Sequence, residues 1–166
     1  YAGYNRDWNV KQRGPESLEA LDRVELELEN AFAAQDWAMA SAEPRLAAEV
    51  LLPASQTMRV RGMFVVANER FEKLLVAIPP GGELQARALT SCARAALDVG
   101  EWERSQQLVA QAWEIVKDAQ PSLVKATVAR QRAENTRVKG MLPEALELFA
   151  RATQEFQAVN DAHGVM

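Results

Sequence analysis

Three glycines constrain this chain more than any other feature. Gly62, Gly100 and Gly140 each follow a stretch whose apolar residues recur at three- and four-residue steps, and they stand 38 and 40 residues apart. Glycine accepts the left-handed backbone that carries a chain out of one helix and into the next. A helix–turn–helix unit recurring at near-constant spacing implies a repeat fold, in which each unit buries its apolar face against its neighbour. The positions after each glycine agree. Two residues on stand Phe64, Trp102 and Leu142, and five on stand the small residues Ala67, Ser105 and Ala145. Nine on stand Phe71, Val109 and Phe149, and twelve on stand Leu74, Ala112 and Ala152. A small residue lets two helix backbones approach, and a large one a turn later fills the gap to the next repeat. Phe149 is therefore expected to be a buried inter-repeat aromatic.

Around these glycines the pattern predicts about seven helices and no sheet. Leu18, Leu21, Val24, Leu28 and Phe32 place the first over Ser17 to Met39, and Pro44 opens a second that reaches Arg61. A third, from Phe64, is closed by the loop Pro79-Pro80-Gly81-Gly82. The fourth runs from Glu83 to Val99 and the fifth from Glu101 to Asp118, while Pro121 and Pro143 open the sixth and seventh. The expected fold is an all-α, right-handed α–α superhelix over residues 17–166, with residues 1–16 a linker or extension. At 166 residues the chain has the length of one domain, and its 48% apolar content excludes disorder. The single Cys92 forms no internal disulfide or cysteine zinc site, which suits a reducing, cytoplasmic setting. No apolar run is long enough to span a membrane, and the net charge of −4 argues against whole-domain nucleic-acid binding. The chain begins at Tyr1 without a signal segment, and is read as a piece of a longer or processed polypeptide.

The stretch Gly140-Met-Leu-Pro-Glu-Ala145-Leu-Glu-Leu-Phe149-Ala-Arg-Ala152 resembles the second half of a tetratricopeptide (TPR) repeat. The repeats are longer than that family's usual length, and the first-helix signature is degenerate, with Ala93 and Ala133 matching its small position and Ser55 less so. A second resemblance covers more of the chain. Arg13-Gly14-Pro15-Glu16, Leu21-Asp22-Arg23-Val24-Glu25, Glu27-Leu28-Glu29-Asn30 and Ala34-Gln35-Asp36-Trp37-Ala38 resemble a segment of bacterial STAND-class regulators, including LuxR-type and SARP-like transcription factors. There the segment opens the helical-repeat sensor. Val99-Gly100-Glu101-Trp102 and Ala158-Val159-Asn160-Asp161-Ala162-His163-Gly164-Val165 resemble the repeat starts and inter-repeat loops of the same arrays. The chain lacks the GxxxxGK[ST] phosphate loop and a recognisable DNA-reading helix, so the resemblance implies only the sensor or scaffold role, as a fragment of a STAND ATPase regulator.

Catalytic chemistry has few candidates. His163 is the only histidine and stands four residues inside the end, a tail or loop position. Cys92 lies among Ser91, Ala93, Ala95 and Ala96, the setting of a buried small hydrophobe. Glu25, Glu27 and Glu29 alternate, which scatters carboxylates around a helix instead of pairing them. No catalytic, cofactor-binding or metal-binding residue is assigned, and an enzyme is not expected.

One pattern remains. Residues 121–139 carry Lys125, Arg130, Arg132, Arg137 and Lys139 against Glu134 alone, whereas the segments 16–36, 101–118 and 142–161 are all net acidic. In TPR arrays the first helix of each pair lines the concave face; here these are the second, fourth and sixth predicted helices. Arg59, Arg87, Arg94, Arg130, Glu134 and Arg137 are the candidate lining of a basic concave groove for an acidic peptide, a phosphorylated ligand or a small-molecule effector. The bland reading has these arginines bonding neighbouring helices. The functional expectation is a non-enzymatic sensor or scaffold module, with no membrane or direct nucleic-acid partner. The alternative is a self-association module, a homodimer joined through the apolar ends of the stack.

Overall fold

The computed structural model describes residues 17–159. The regular elements among them are α1 (Ser17–Leu26), α2 (Leu28–Ala40), α3 (Pro44–Leu51), a 3-10 turn (Leu52–Ala54), α4 (Ser55–Val60), α5 (Phe64–Ala77), α6 (Gly82–Asp98), α7 (Trp102–Val116), α8 (Leu123–Val138) and α9 (Leu142–Ala158). All are helical, as expected. The expectations for residues 1–16 and for His163 lie outside the described residues.

Two expected helices are interrupted. The first breaks at Glu27, whose N–H bonds back only three residues, to the Val24 carbonyl at 3.1 Å. The second contains the 3-10 turn, because Pro53 has no N–H to give the α-helical ladder. The sixth begins later than expected: Ser122 is the N-cap of α8, its Oγ accepting from Lys125 N–H at 3.2 Å, and Pro121 lies outside the helix.

The glycine turns share one geometry. Gly62, Gly100 and Gly140 have φ of +73°, +87° and +87°. In each, the glycine N–H reaches a carbonyl three residues back and the next N–H one five back, as in Gly100 to Leu97 (3.1 Å) and Glu101 to Ala96 (2.8 Å). This double closure satisfies the carbonyls left open at a helix end. It occurs a fourth time without glycine: Ala42 N–H bonds Met39 at 3.2 Å, Glu43 N–H bonds Ala38 at 2.8 Å, and Ala42 itself sits at φ +57°. In all four, the second donor (Glu43, Met63, Glu101 or Met141) is also the N-cap of the following helix. The loops are thus as short as they can be, and α2–α3, α4–α5, α6–α7 and α8–α9 follow one another directly.

The contacts divide the chain at Ile78–Pro79 into two compact units. In the first, α3 packs on α2 and α5, and α1 on α2 and α4. Val24, Leu51, Met58, Phe71 and Leu74 are buried there. Arg70 secures the buried Gln35, donating to its Oε1 at 2.8 Å, pairing with Asp36 at 2.9 Å and lying 4.0 Å from the Phe32 ring centroid. Arg61 ties α4 to α1 through Asp22 and Glu25, both at 2.6 Å.

In the second unit, α8 packs against both helices of the α6–α7 pair and against α9. Buried Ala86, Ala88, Cys92, Ala93 and Ala96 keep α6 slim enough for two neighbours. The positions after the glycines mostly repeat: Ala67, Ser105 and Ala145 are buried, as are Leu74, Ala112 and Ala152, and Phe71 and Val109. Phe149 departs from this. It is only half-buried, and Phe156 is the buried aromatic of α9 instead. Val109 is covered because α8 follows α7, whereas among the described residues no helix follows α9. A polar network joins α6, α7 and α8. Ser105 Oγ donates to the Ala93 carbonyl at 2.6 Å and accepts from Asn135 Nδ2 at 2.8 Å, and Asn135 Oδ1 accepts from Gln131 Nε2 at 2.9 Å.

Candidate functional site

The arginine set is distributed by its helices. Arg59 lies half-buried on α4 in the first unit, and the other five residues belong to the second. On α6, Arg87 and Arg94 are seven residues apart, two turns, and so share a face; on α8, Arg130, Glu134 and Arg137 do the same at four- and three-residue steps. Because α6 and α8 pack together, the two rows lie side by side.

Glu134 is the centre of this cluster. Arg137 donates to it through Nε at 3.0 Å and Nη2 at 2.7 Å, and Arg94 reaches it from α6 with Nη1 3.8 Å away. The Arg137 hydrogen bond holds the Glu134 carboxyl below the usual glutamate range. Burial opposes that shift, while the charges of Arg137, Arg94 and Arg130 add to it. Arg94 also approaches Asp98, Nε to Oδ1 at 3.3 Å, without hydrogen-bond alignment. Arg130 and Arg87 are exposed, and the Arg130 guanidinium lies 5.9 Å from the Phe156 ring centroid, which sets it beside α9.

Other cations of α8 are engaged between helices. Arg132 lies 4.4 Å over Trp113 of α7, and burial, followed by the like charge of Arg151, holds its pKa down. Lys139 stands 5.5 Å from the Trp102 ring, and Lys125 pairs with Glu155 of α9 at 3.4 Å while donating to the Ala119 carbonyl at 2.9 Å. These three follow the bland reading of the basic segment. The remaining charge of this cluster is Arg87, Arg94, Arg130 and Arg137 against Glu134 and Asp98, with Arg94 paired to both carboxylates, across to α8 as the bland reading expects, and Arg137 paired to Glu134. Such an array can hold carboxylates or phosphates through charge-assisted, bidentate hydrogen bonds.

No group of histidine, cysteine or carboxylate side chains able to hold a metal ion occurs among the described residues. Cys92 is a buried free thiol. None of the described helices is long and apolar enough to cross a membrane. The sequence reading missed two features. One is the Ser105–Asn135–Gln131 network; the other is the exposed apolar row of α9, Leu142 and Leu146, at 58% and 70% of full exposure. The second had a signal in the repeat alignment. Six residues after the three glycines stand Asn68, Gln106 and Leu146, so only the last repeat is apolar there. No protein-family model matches this sequence, and no curated protein matches it.

Proposed function

We propose that this chain is a non-enzymatic binding module, a TPR-like segment of a right-handed α-solenoid that serves as sensor or scaffold in a larger bacterial signalling or transcriptional regulator of the cytoplasm. The observation that carries the binding role is the arginine row on α6 and α8, exposed at Arg87, Arg130 and Arg137 and half-buried at Arg94, whose four cations outnumber the carboxylates Glu134 and Asp98 that pair with two of them. The partner it suits is an extended acidic peptide, whose carboxylates would exchange with Glu134 for the guanidinium groups. The paired helices with identical turns support the solenoid reading, since a repeat stacks on its neighbours.

The test is a nuclear magnetic resonance titration of the whole chain with an unstructured Glu-rich peptide. Backbone shifts along Arg87–Arg94 of α6 and Arg130–Arg137 of α8, fading as salt rises, are the expected result. A silent row at low ionic strength overturns the binding role. The regulator context is tested on the reading frame itself: an in-frame nucleotide-binding module upstream supports it, and a start codon immediately before Tyr1 removes it.

A further inference from the structure

The anion that suits the arginine row has a counterpart inside the protein. Glu134 offers both carboxylate oxygens to one arginine: Arg137 donates through Nε to Oε2 at 3.0 Å and through Nη2 to Oε1 at 2.7 Å. This is the two-pronged geometry in which a guanidinium takes a ligand carboxylate. Arg94 of α6 stands at the same group, its Nη1 3.8 Å from Oε1, close enough for charge pairing and too far for a hydrogen bond. Its buried Nε lies 3.3 Å from Asp98 Oδ1, again without hydrogen-bond alignment. Arg94 thus gives charge to two carboxylates and a hydrogen bond to neither.

A fastening role does not account for this arrangement. The bidentate pair is made within α8, between residues three apart, and so joins no two elements. The reach to α6 is the 3.8 Å contact, whereas α6, α7 and α8 are tied by the buried bonds of Ser105, Asn135 and Gln131 at 2.6, 2.8 and 2.9 Å. The Arg137 side chain keeps 50% of its full exposure and Glu134 keeps 20%, so the pair stands at the solvent edge, where a competing anion can reach both partners.

We infer that Glu134 is an internal competitor for the arginine row: it fills the anion position between Arg137 and Arg94, and an acidic peptide binds there by displacing it. This rests on the binding-module reading and adds to it the residue that sets the affinity. A peptide carboxylate that takes the place of Glu134 on Arg137 exchanges like for like, so the native contact holds binding down until the competing charge is removed.

The experiment titrates the full chain into a labelled, unstructured Glu-rich peptide and reads fluorescence anisotropy at low salt. Glu134→Gln keeps the shape of the side chain, removes the competing charge and is expected to tighten binding by at least about fivefold. Glu147→Gln removes the same charge from an exposed place on α9, outside the row, and is expected to change binding by less than about twofold. Arg137→Ala separates displacement from simple repulsion. In the wild type it removes a ligand contact and the competing pair together, and is expected to cost less than about twofold; combined with Glu134→Gln it removes the contact alone, and is expected to cost at least about fivefold. Circular dichroism checks that each variant keeps the wild-type helix content. Equal gains from Glu134→Gln and Glu147→Gln, or an equal cost of Arg137→Ala with and without Glu134→Gln, overturns the inference. If the peptide still shifts α6 and α8 in the resonance titration, the binding-module reading survives that failure. No binding by the wild type or by the Glu134→Gln variant overturns both.

Discussion

Ser105→Ala isolates the buried network that joins α6, α7 and α8. The wild-type hydroxyl donates to Ala93 at 2.6 Å and accepts from Asn135 Nδ2 at 2.8 Å, and Ser105 and Asn135 are buried. Alanine fits the space, since Ala67 and Ala145 fill the equivalent buried positions. The Ala93 carbonyl lies inside α6 and keeps its helical donor, so its loss is small. Asn135 loses more: one amide hydrogen is left without an acceptor away from water, a cost of about 1–3 kcal/mol. Alanine's better helix propensity returns up to ~0.5 kcal/mol. The expected net destabilisation is about 1–2 kcal/mol. Urea unfolding followed by tryptophan fluorescence measures it, because Trp102 and Trp113 are half-buried in the same unit. Combining Ser105→Ala with Asn135→Ala should cost less than the two singles together, by a coupling of about 0.5 kcal/mol or more. A single-mutant loss below about 0.5 kcal/mol, or additive effects, would refute the claim that this hydrogen bond holds α8 on the first hairpin.

Phe156→Ala should destabilise by about 3–5 kcal/mol, and Phe149→Ala by clearly less, because Phe156 is buried and Phe149 only half so; equal losses in urea melts would contradict that burial order. Ala42→Gly should stabilise by about 0.5–1 kcal/mol, since relief of the left-handed backbone at φ +57° exceeds the added freedom of the unfolded chain. A thermal midpoint that stays put or falls would show that the turn carries no such strain. Glu134 has a folded pKa below its unfolded value, so its contribution to stability is complete above the ordinary glutamate range and is lost as pH falls through the folded pKa. Glu134→Gln should therefore flatten the acid limb of the stability–pH profile, and an unchanged acid limb would place the linkage elsewhere.

Much of the fold was legible because its rules are local. A glycine that closes an apolar helical stretch predicts the turn from chain sterics alone, and Gly62, Gly100 and Gly140 take the left-handed φ that this requires. The fourth turn was not legible, because Ala42 gives no such signal, although Pro44 two residues later marks the next helix start. The candidate site divides in the same way. Helical spacing placed Arg87 with Arg94, and Arg130 with Glu134 and Arg137, but no spacing says that Arg94 reaches across to Glu134. Identical residue types then part company: Arg132 is half-buried over Trp113 of α7, while Arg130, two positions earlier, is exposed beside Phe156 of α9. Phe149 shows the limit most clearly. Its sequence position matches Phe71 and Val109, yet burial belongs to the neighbour that covers a residue and not to the residue itself. The sequence by itself determined that the chain is helical and where its glycine turns fall, because backbone sterics and hydrogen bonding act within a few residues; which side chains are buried, paired or left open was decided only by the packing of helices far apart in the chain.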